Sequence, residues 1–316
     1  MKSIHSLFIF RVPQLFRALV IVAVAISSAR GQSTIVTNPT DAQIITALTG
    51  TGLGITAPTL ERGVRSTQLA TFSNGIAGAN FGIDAGVLFS TGNAEQDLTT
   101  KNATPYRSIN PGNTGTDANL VAINPSAVYN TVAYSFDITL DPTVSGIRIV
   151  FQFGSEEYPD YVGSFFNDLF GFFISGPGIT GTRNVALLPS NNDVIAVNTV
   201  NGGVLGAAND GEPVNLEQSQ FYINNGHIND GSANPDPQPG PFPVHIEYNG
   251  ITTAITRDIG GLVPGATYRF KVAIADVGDG QYDSGVLLRQ IIGMRESDLA
   301  LQKTVNNATP VVGDEV

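Results

Sequence analysis

The sequence predicts an all-β protein: a two-sheet antiparallel sandwich of the jelly-roll type, with one short helix near the N-terminus. Three observations predict this fold. The 316-residue chain contains 35 glycines, and Asn, Asp, Ser and Thr are frequent between the apolar runs, which is typical of a protein with many turns. The apolar runs are short and rich in β-branched and aromatic residues. About ten of them fit strands with one apolar face, as two packed sheets require.

Residues 1–31 have the pattern of a secretory signal peptide. Basic residues precede the apolar run Ala18–Ile26, and small residues follow at Ala29 and Gly31;. The apolar run is too short to span a bilayer, although an uncleaved membrane anchor is the alternative. We therefore expect cleavage near Gly31–Gln32, a secreted or cell-surface protein, and no transmembrane segment in the mature chain.

Charge and cysteine content limit the possible partners. The net charge of the whole chain is −11, and it becomes −15 without residues 1–31, which contain four basic residues and no acidic one. A chain this acidic lacks the basic face that nucleic acid requires, so we expect no nucleic-acid partner. The chain has no cysteine, so an exported domain must be stabilised by its core and by any bound metal rather than by disulfides.

The first element after the signal peptide is a helix. It is predicted to begin at Thr40 or Asp41 and to end before Gly50, with Ile44 and Leu48 on its apolar face;. The elements that follow it read as strands. They are predicted at Leu69–Phe72, Val87–Thr91, Val132–Ile138, Gly146–Phe153, Leu169–Ser175, Val194–Asn198, Tyr268–Ile274 and Val286–Ile291.

One hairpin and two long loops complete the prediction. Asn249–Gly250, between the apolar stretches His245–Tyr248 and Ile251–Thr256, is a strong signal for a two-residue hairpin turn;. The polar stretches Gly92–Gly115 and Asn224–Pro243 are predicted as surface loops. Loops of this length in a compact domain are usually either functional or disordered.

Two segments concentrate oxygen ligands beside strand-like runs. The first segment contains Glu156, Glu157, Asp160, Asn167 and Asp168, and the second contains Asp276, Asp279 and Asp283. Clustered carboxylates repel one another unless a cation lies among them. Ca²⁺ takes six to eight hard oxygens, so the pattern predicts one Ca²⁺ site assembled from both loops. The alternative is that these residues cap turns and face water.

Other chemistry has weaker support. Tyr158 and Tyr161 lie in the first acidic segment, where their rings could contact a glycan, or could instead pack the loop against the sheet. A carboxylate pair such as Glu157 with Asp279 could cleave a glycosidic bond. There is no G-x-S-x-G motif, and the only histidines after residue 31 are His227, expected in a solvated loop, and His245. We therefore expect a protein that is not an enzyme.

Several long motifs resemble a known family. The stretches FGSEEYPDYVGSFFNDLFGFFISGPG, NVALLPSNNDVIAVNTVN and EYNGITTAITRDIGGLVPGATYRFKVAIADVGDGQYDSGVLL occur in that order. They closely resemble the choice-of-anchor L domain, over residues 38 to 292. The resemblance implies a secreted bacterial protein that attaches to a surface, but no particular biochemical activity.

The last residues resemble a different family. DLALQKTVNNATPVVGD is similar to the first strand and turn of the DUF11 class of Ig-like repeats. We therefore expect a signal peptide at 1–31, one β-sandwich domain at 32–296, and the start of an incomplete Ig-like domain at 297–316.

These observations together predict a function. We expect a secreted or cell-surface, non-enzymatic module that is stabilised by Ca²⁺. Its expected role is adhesion or contact with the extracellular matrix, through a glycan or protein partner. The alternative is a glycoside hydrolase that uses a carboxylate pair from the same acidic segments.

Overall fold

The computed structural model describes residues 32–102, 104–112, 114–231 and 239–295. The predicted signal peptide and the predicted Ig-like segment at 297–316 both lie outside these ranges. Within them, no helix is long and apolar enough to cross a membrane.

Strands are the main regular structure of the described chain. The strands are β1 (Thr34–Thr37), β2 (Leu53–Arg62), β3 (Leu69–Ser73), β4 (Gly86–Ser90), β5 (Ala127–Leu140), β6 (Gly146–Ser155), β7 (Leu169–Gly176), β8 (Ile179–Asn184), β9 (Ile195–Ala196), β10 (Tyr222–Asn224), β11 (Gly250–Thr252), β12 (Ile255–Ile259), β13 (Thr267–Val277), β14 (Ser284–Arg289) and β15 (Ile292–Met294). The helices are α1 (Asp41–Leu48), α2 (Arg65–Gln68), α3 (Ala94–Thr99) and α4 (Ala118–Ile123), with a π-helical turn at Gly75–Ala79 and a 3₁₀ turn at Ser219–Phe221.

The strands form two sheets, and every strand pair within them is antiparallel. The first sheet runs β1-β3-β4-β14-β6-β11-β10, with β12 and β15 also paired to β6. The second runs β2-β5-β13-β7-β8, with β9 paired to β7. The predicted fold class, a two-sheet antiparallel sandwich, is confirmed.

Aromatic side chains fill the space between the two sheets. Phe151 of the first sheet meets Phe170 of the second with ring centroids 5.2 Å apart, and Phe89 meets Tyr134 at 5.9 Å. All four residues are buried. Burial of aromatic side chains is a major source of the free energy of folding, so this layer holds the sheets together.

Apolar clusters also cover part of the outer face of each sheet. Tyr248 and Ile251 belong to an apolar cluster on the first sheet, and Leu120 of α4 belongs to a cluster on the second sheet with Ala273 and Ala275 of β13. Because of this cover, β13 loses its alternation of buried and exposed residues and is buried on both faces from Ala273 onward.

The predicted N-terminal helix is present as α1. Thr40 caps it: the Thr40 Oγ1 accepts a hydrogen bond from the Gln43 backbone N–H at 3.3 Å, and the Gln43 side chain accepts one from the Thr40 N–H at 2.8 Å. This reciprocal capping box satisfies amide groups that the first helical turn would leave open. Ile44 and Leu48 are fully buried, so the predicted apolar face is correct. The other three helices were not predicted.

The predicted hairpin at Asn249–Gly250 is wrong. The residues before Asn249 form bends rather than a strand, and the predicted strand after Gly250 is divided into β11 and β12. The Asn249 Nδ2 donates instead to the carbonyl oxygens of Pro105 and Glu156, both at 2.8 Å. These long-range hydrogen bonds determine the local conformation, and β11 pairs with β10 and β6.

Two further predictions differ in their boundaries. The predicted strand Val194–Asn198 is reduced to the two residues of β9, because Asn198 turns to donate to the Ser164 carbonyl at 2.9 Å. The predicted loop Gly92–Gly115 contains helix α3, for which Asn93 is the N-cap and accepts hydrogen bonds from Glu95 and Gln96.

Candidate functional site

Strand pairing brings the two acidic segments to the same end of the sandwich. Ser284, which begins β14, lies opposite Ser155, which ends β6. As a result Glu156 and Asp283 become neighbours, and the Glu156 N–H donates to the Asp283 carbonyl at 3.0 Å. The pairing of β13 with β7 likewise carries Asp276 past the start of β7, beside Asp168.

Four carboxyl groups form what we call the first acidic group: Glu157, Asp168, Asp276 and Asp279. Glu157 is only 1% exposed, and neither of its carboxylate oxygens has a hydrogen-bond partner among the described residues. Asp276 is fully buried; its Oδ2 accepts from the Asn130 Nδ2 at 2.8 Å. The Asp276 Oδ1 has no hydrogen-bond partner among the described residues.

Asp168 is the best-satisfied member of the first acidic group. Its Oδ1 accepts from the Val277 N–H at 2.8 Å, and its Oδ2 accepts from the Ser284 Oγ at 2.6 Å. Asp279 is half-buried at the edge of the group, and its Oδ1 accepts from the Gln281 N–H at 2.9 Å. Asp168 thus ties β7 to both strands β13 and β14.

Burial and mutual repulsion change the protonation of this group. Burial, and then the charges of Asp168 and Asp276, raise the pKa of Glu157 well above its ordinary value. Burial and the charge of Asp168 do the same to the pKa of Asp276. Burial raises the pKa of Asp168 to about 7, against the hydrogen bond from Ser284. A carboxyl group with a raised pKa holds its proton unless a positive charge comes close.

A second acidic group lies beside the first. It consists of Asp97, Glu156, Glu247 and Asp283, with Arg107 among them. The Arg107 Nη2 lies 3.0 Å from the Glu247 Oε1, and Glu247 also accepts from the Thr104 N–H at 3.0 Å. This group therefore has a basic partner of its own.

Burial dominates the second acidic group as well. Both carboxylate oxygens of Glu156 lack a hydrogen-bond partner in the part of the chain that the structure describes. Burial, then the charge of Glu247, raises the pKa of Glu156 well above its ordinary value, and the charge of Arg107 lowers it. Burial and the charge of Asp97 raise the pKa of Asp283 in the same way.

Asp97 connects the second acidic group to the sheet. Its Oδ2 accepts from the Ser90 Oγ at 2.5 Å and from the Tyr248 hydroxyl at 2.9 Å. Burial raises the pKa of Asp97 to about 7, and these two hydrogen bonds lower it in part. Two residues of the predicted long loop, Asp97 and Arg107, therefore belong to the site.

Four important residues of the site were not predicted from the sequence: Asp97, Arg107, Asn130 and Glu247. The unusual length of the predicted loop Gly92–Gly115 was the one available signal for the first two. Asn130 and Glu247 lie in ordinary strand-like or polar stretches, so nothing in their local sequence distinguishes them.

Two of the predicted metal ligands, Asp160 and Asn167, have hydrogen-bond partners outside both acidic groups. The Asp160 Oδ2 lies 3.0 Å from the His227 Nε2, and its Oδ1 accepts from the Gly231 N–H at 3.0 Å. The Asn167 Oδ1 accepts from the Asn198 N–H at 2.8 Å. Their oxygens hold loops together. His227 is only 5% exposed, so the prediction that it faces solvent is wrong.

The two candidate ligand-contact tyrosines differ. Tyr158 is fully buried and its hydroxyl donates to the Val200 carbonyl, so its ring cannot meet an external ligand in this conformation. Tyr161 is half-exposed, with its ring 5.6 Å from Phe166 and 5.4 Å from Tyr282. With Phe165, which is 43% exposed, these residues form an aromatic patch at the acidic end.

The carboxylates do not form a ready-made metal cage. Among the described residues, no three Asp, Glu, His or Cys side chains are arranged to hold a metal ion as they stand. The donor chemistry nevertheless fits a hard cation, because Glu157 and Asp276 together present three carboxylate oxygens without hydrogen-bond partners in the described chain;. Binding of Ca²⁺ would require these side chains to turn toward a common point.

An open cleft borders the site. Its volume is about 420 Å³. It is lined by Asn110, Gly112, Thr114, Gly115, Thr116, Val128, Tyr129 and Asn130. Asn130 connects the cleft to the first acidic group, because its Nδ2 donates both to Asp276 and to the Gly280 carbonyl at 3.1 Å.

Comparisons with known proteins identify the family. No match to a curated protein was found. Among solved structures, the chain is similar to TmCBM61 in complex with beta-1,4-galactotriose, with 10% identity and a TM-score of 0.21. That match covers 52% of this chain and 65% of the other. The model of the choice-of-anchor L domain matches residues 33–291. Because this match spans most of the sequence, the chain belongs to the choice-of-anchor L domain family.

Proposed function

We propose that this protein is a secreted or surface-anchored, non-enzymatic binding module whose first acidic group takes up Ca²⁺. Membership in the choice-of-anchor L family indicates a surface module. In the proposal, the cation stabilises the acidic end of the sandwich, and that end contacts a glycan or protein outside the cell. Adhesion or matrix contact is the role that such a module would serve.

One observation carries the cation proposal: Glu157 is buried without a partner for either oxygen in the described chain. A buried carboxylate without a partner costs several kcal/mol unless it stays protonated or binds a cation. The charges that act most strongly on Glu157 after burial all come from carboxylates, beginning with Asp168 and Asp276. A divalent cation would remove that repulsion.

The two acidic groups should differ in their affinity for a cation. Arg107 lowers the pKa of Glu156 and of Asp283, so the second acidic group is partly neutralised already. The first acidic group has carboxylates on two facing loops and an edge residue, Asp279, that is half-buried. We therefore assign the cation to Glu157 and Asp276, with Asp168 and Asp279 contributing negative charge.

Burial also favours binding over hydrolysis. A glycoside hydrolase needs two carboxyl groups that flank a bond in an open groove, roughly 5–10 Å apart. Glu157, Asp168 and Asp276 are at most 1% exposed, which leaves no room for a sugar between them. Among the described residues that line the cleft bordering Asn130, none is acidic.

Calcium titration tests the proposal. After treatment with a chelator, the protein should release or absorb heat on binding Ca²⁺, and its free energy of unfolding should rise by about 2.7 kcal/mol when Ca²⁺ is at a hundred times its Kd. Mg²⁺ should bind more weakly, because it requires a small octahedral site and loses its water reluctantly. Absence of both binding heat and stabilisation by Ca²⁺ would overturn the proposal.

Neighbouring variants locate the cation. Glu157→Gln should abolish the stabilisation by Ca²⁺. It should also stabilise the metal-free protein as the pH rises above the ordinary Glu pKa of 4.5, because the amide is neutral without the proton that the buried carboxyl group must keep;. Glu156→Gln is the matched control: it changes the adjacent residue, in the second acidic group, and should keep the response to Ca²⁺. Equal responses of both variants would contradict the assignment to the first acidic group.

A further inference from the structure

We propose that the cleft between the start of β5 and the residues Asn110, Gly112, Thr114, Gly115 and Thr116 binds a neutral saccharide. The inference rests on the proposed role as a surface binding module and gives that role a ligand class and a location. The cleft holds about 420 Å³, which lies within the range of small-molecule sites in proteins.

The lining of the cleft matches the chemistry of a neutral sugar. Asn110 brings an amide, Asn130 brings the oxygen of an amide whose nitrogen already has two acceptors, and Thr114 and Thr116 bring hydroxyls. Among the described residues that line the cleft, none has a charged side chain. Amides and hydroxyls both donate and accept hydrogen bonds, as sugar hydroxyls do. A phosphate or a carboxylate ligand would need a basic side chain in the lining. A lipid would need a mainly apolar one.

Tyr129 supplies the aromatic surface. It is 42% exposed, in strand β5 opposite Asp276, and it lines the cleft. An aromatic ring presents an apolar face with a polar tip. The C–H face of a pyranose can stack on such a ring while its hydroxyls reach the amides on either side.

The walls of the cleft are held in place before any ligand binds. Asn130 has a left-handed backbone, with φ of 46°, and its carbonyl accepts from the Gln68 Nε2 at 2.8 Å. On the other wall, the Thr116 carbonyl accepts from the Arg62 Nε at 2.8 Å. The Ile109 N–H, beside Asn110, donates to the Asp283 carboxylate at 2.9 Å. A preformed site loses less conformational entropy on binding.

The two acidic groups hold both walls. Asn130 donates to Asp276, and the segment that begins at Ile109 is held by Asp283. A cation in the first acidic group would therefore fix one wall of the cleft through Asp276. Saccharide affinity should be higher with Ca²⁺ present than with a chelator, although the cleft does not need Ca²⁺ as a direct ligand.

Binding to a panel of neutral oligosaccharides tests the inference. Gluco-, galacto-, manno- and xylo-oligosaccharides are displayed on an array, and the full-length protein is applied with and without Ca²⁺. Saturation-transfer difference NMR then measures the affinity for the bound members. We expect at least one neutral oligosaccharide to bind. Binding of none of them would overturn the inference.

Variants decide whether the cleft is the site. Tyr129→Ala should weaken binding about tenfold, through loss of the stacking surface. Thr116→Trp should weaken it as well, by filling the cleft from an exposed position. Phe165→Ala is the matched control: its side chain is 43% exposed against 42% for Tyr129, but it belongs to the aromatic patch. Thermal denaturation checks that each variant is folded.

The outcomes separate this inference from the proposed function. Saccharide binding that is lost in Tyr129→Ala and Thr116→Trp but kept in Phe165→Ala supports the cleft. Loss in Phe165→Ala with retention in Tyr129→Ala would place the site on the aromatic patch and overturn the inference. If Ca²⁺ does not stabilise the protein while the cleft still binds saccharide, the cation proposal fails and the cleft stands.

Discussion

The middle of the sandwich and its acidic end are built from the same strands, but their buried side chains have opposite surroundings: apolar groups in the middle, and other carboxyl groups at the acidic end. Along β13, Phe270 and Val272 are buried against other apolar side chains, whereas Asp276, a few residues later, is buried among carboxylates. Along β6, Phe151 and Phe153 lie in the core, and the chain continues directly to Glu156.

The comparison shows that burial has two consequences in one fold. In the middle, burial removes apolar surface from water and stabilises the protein. At the acidic end, burial raises the pKa of carboxyl groups and leaves oxygens without partners in the described chain. Apolar burial in the middle of the sandwich therefore offsets the unfavourable burial of carboxyl groups at the acidic end. A cation bound at that end would make the burial of those groups less unfavourable.

The largest expected effect on the free energy of unfolding comes from a substitution in the apolar middle of the sandwich. Phe172→Ala removes a ring that lies 5.2 Å from Phe270 and 6.4 Å from Phe136. We expect a loss of about 3–5 kcal/mol in the free energy of unfolding, measured by urea denaturation. The loss should be the same with Ca²⁺ and with chelator, because Phe172 belongs to the apolar core cluster and to neither acidic group. A loss that depends on Ca²⁺ would show that the two regions are not separate.

A smaller loss is expected from a glycine at the acidic end. A Cβ added at Gly92 would lie 1.9 Å from the Asp283 Oδ2, and that carboxylate is held by the Ile109 N–H. Gly92→Ala should therefore cost about 1–3 kcal/mol through overpacking. The control is Gly54→Ala, where nothing lies within 4 Å of the added Cβ. Equal stability of the two variants in urea would contradict the close packing of Asp283.

The last expected effect is a change in the pH dependence of stability. Burial raises the pKa of Asp97 to about 7 from its ordinary value of 3.8. Between these values the folded protein holds a proton that the unfolded chain has lost, so Asp97 makes stability fall as the pH rises from 4 to 7. Asp97→Asn should flatten this fall, by at most about 1.4 kcal/mol per pH unit.

Urea midpoints at pH 4.5, 6 and 7.5 in chelator measure the difference. The gap in stability between Asp97→Asn and the unchanged protein should shift in favour of the variant as the pH rises. Asp258→Asn removes a surface carboxylate that pairs with Arg148 at 2.7 Å and is 40% exposed, and it serves as the control. Parallel profiles for Asp97→Asn and the unchanged protein would show that Asp97 ionises normally.

Elements with strong local signals were predictable. Helix α1 has its own capping box, with Thr40 and Gln43 bonding each other, so its start does not depend on the rest of the fold. Strand β13 alternates Tyr268 and Phe270 with Arg269 and Lys271, and the pattern matches the observed burial. In both cases the residues that decide the structure are close together in sequence.

Elements decided by distant partners were not predictable. Asn249 precedes Gly250 in a typical hairpin sequence, but its amide is used by the Pro105 and Glu156 carbonyls. Asp160 is predicted as a metal ligand from its neighbours in sequence, whereas the partner that it has in the structure, His227, lies 67 residues away. Each of these residues has a side chain that can serve several purposes, and the partner that it finds lies far along the chain.

The sequence by itself determined that this chain forms a β-sandwich and that two segments carry an excess of carboxylates. Alternation and composition suffice for both statements, because they depend on residues within one strand or loop. The tertiary structure decided which carboxylates meet, how deeply they are buried and that Arg107 joins only one group. Strand register sets those distances, and burial by residues from several parts of the chain sets the local dielectric. Neither quantity is encoded in any single segment.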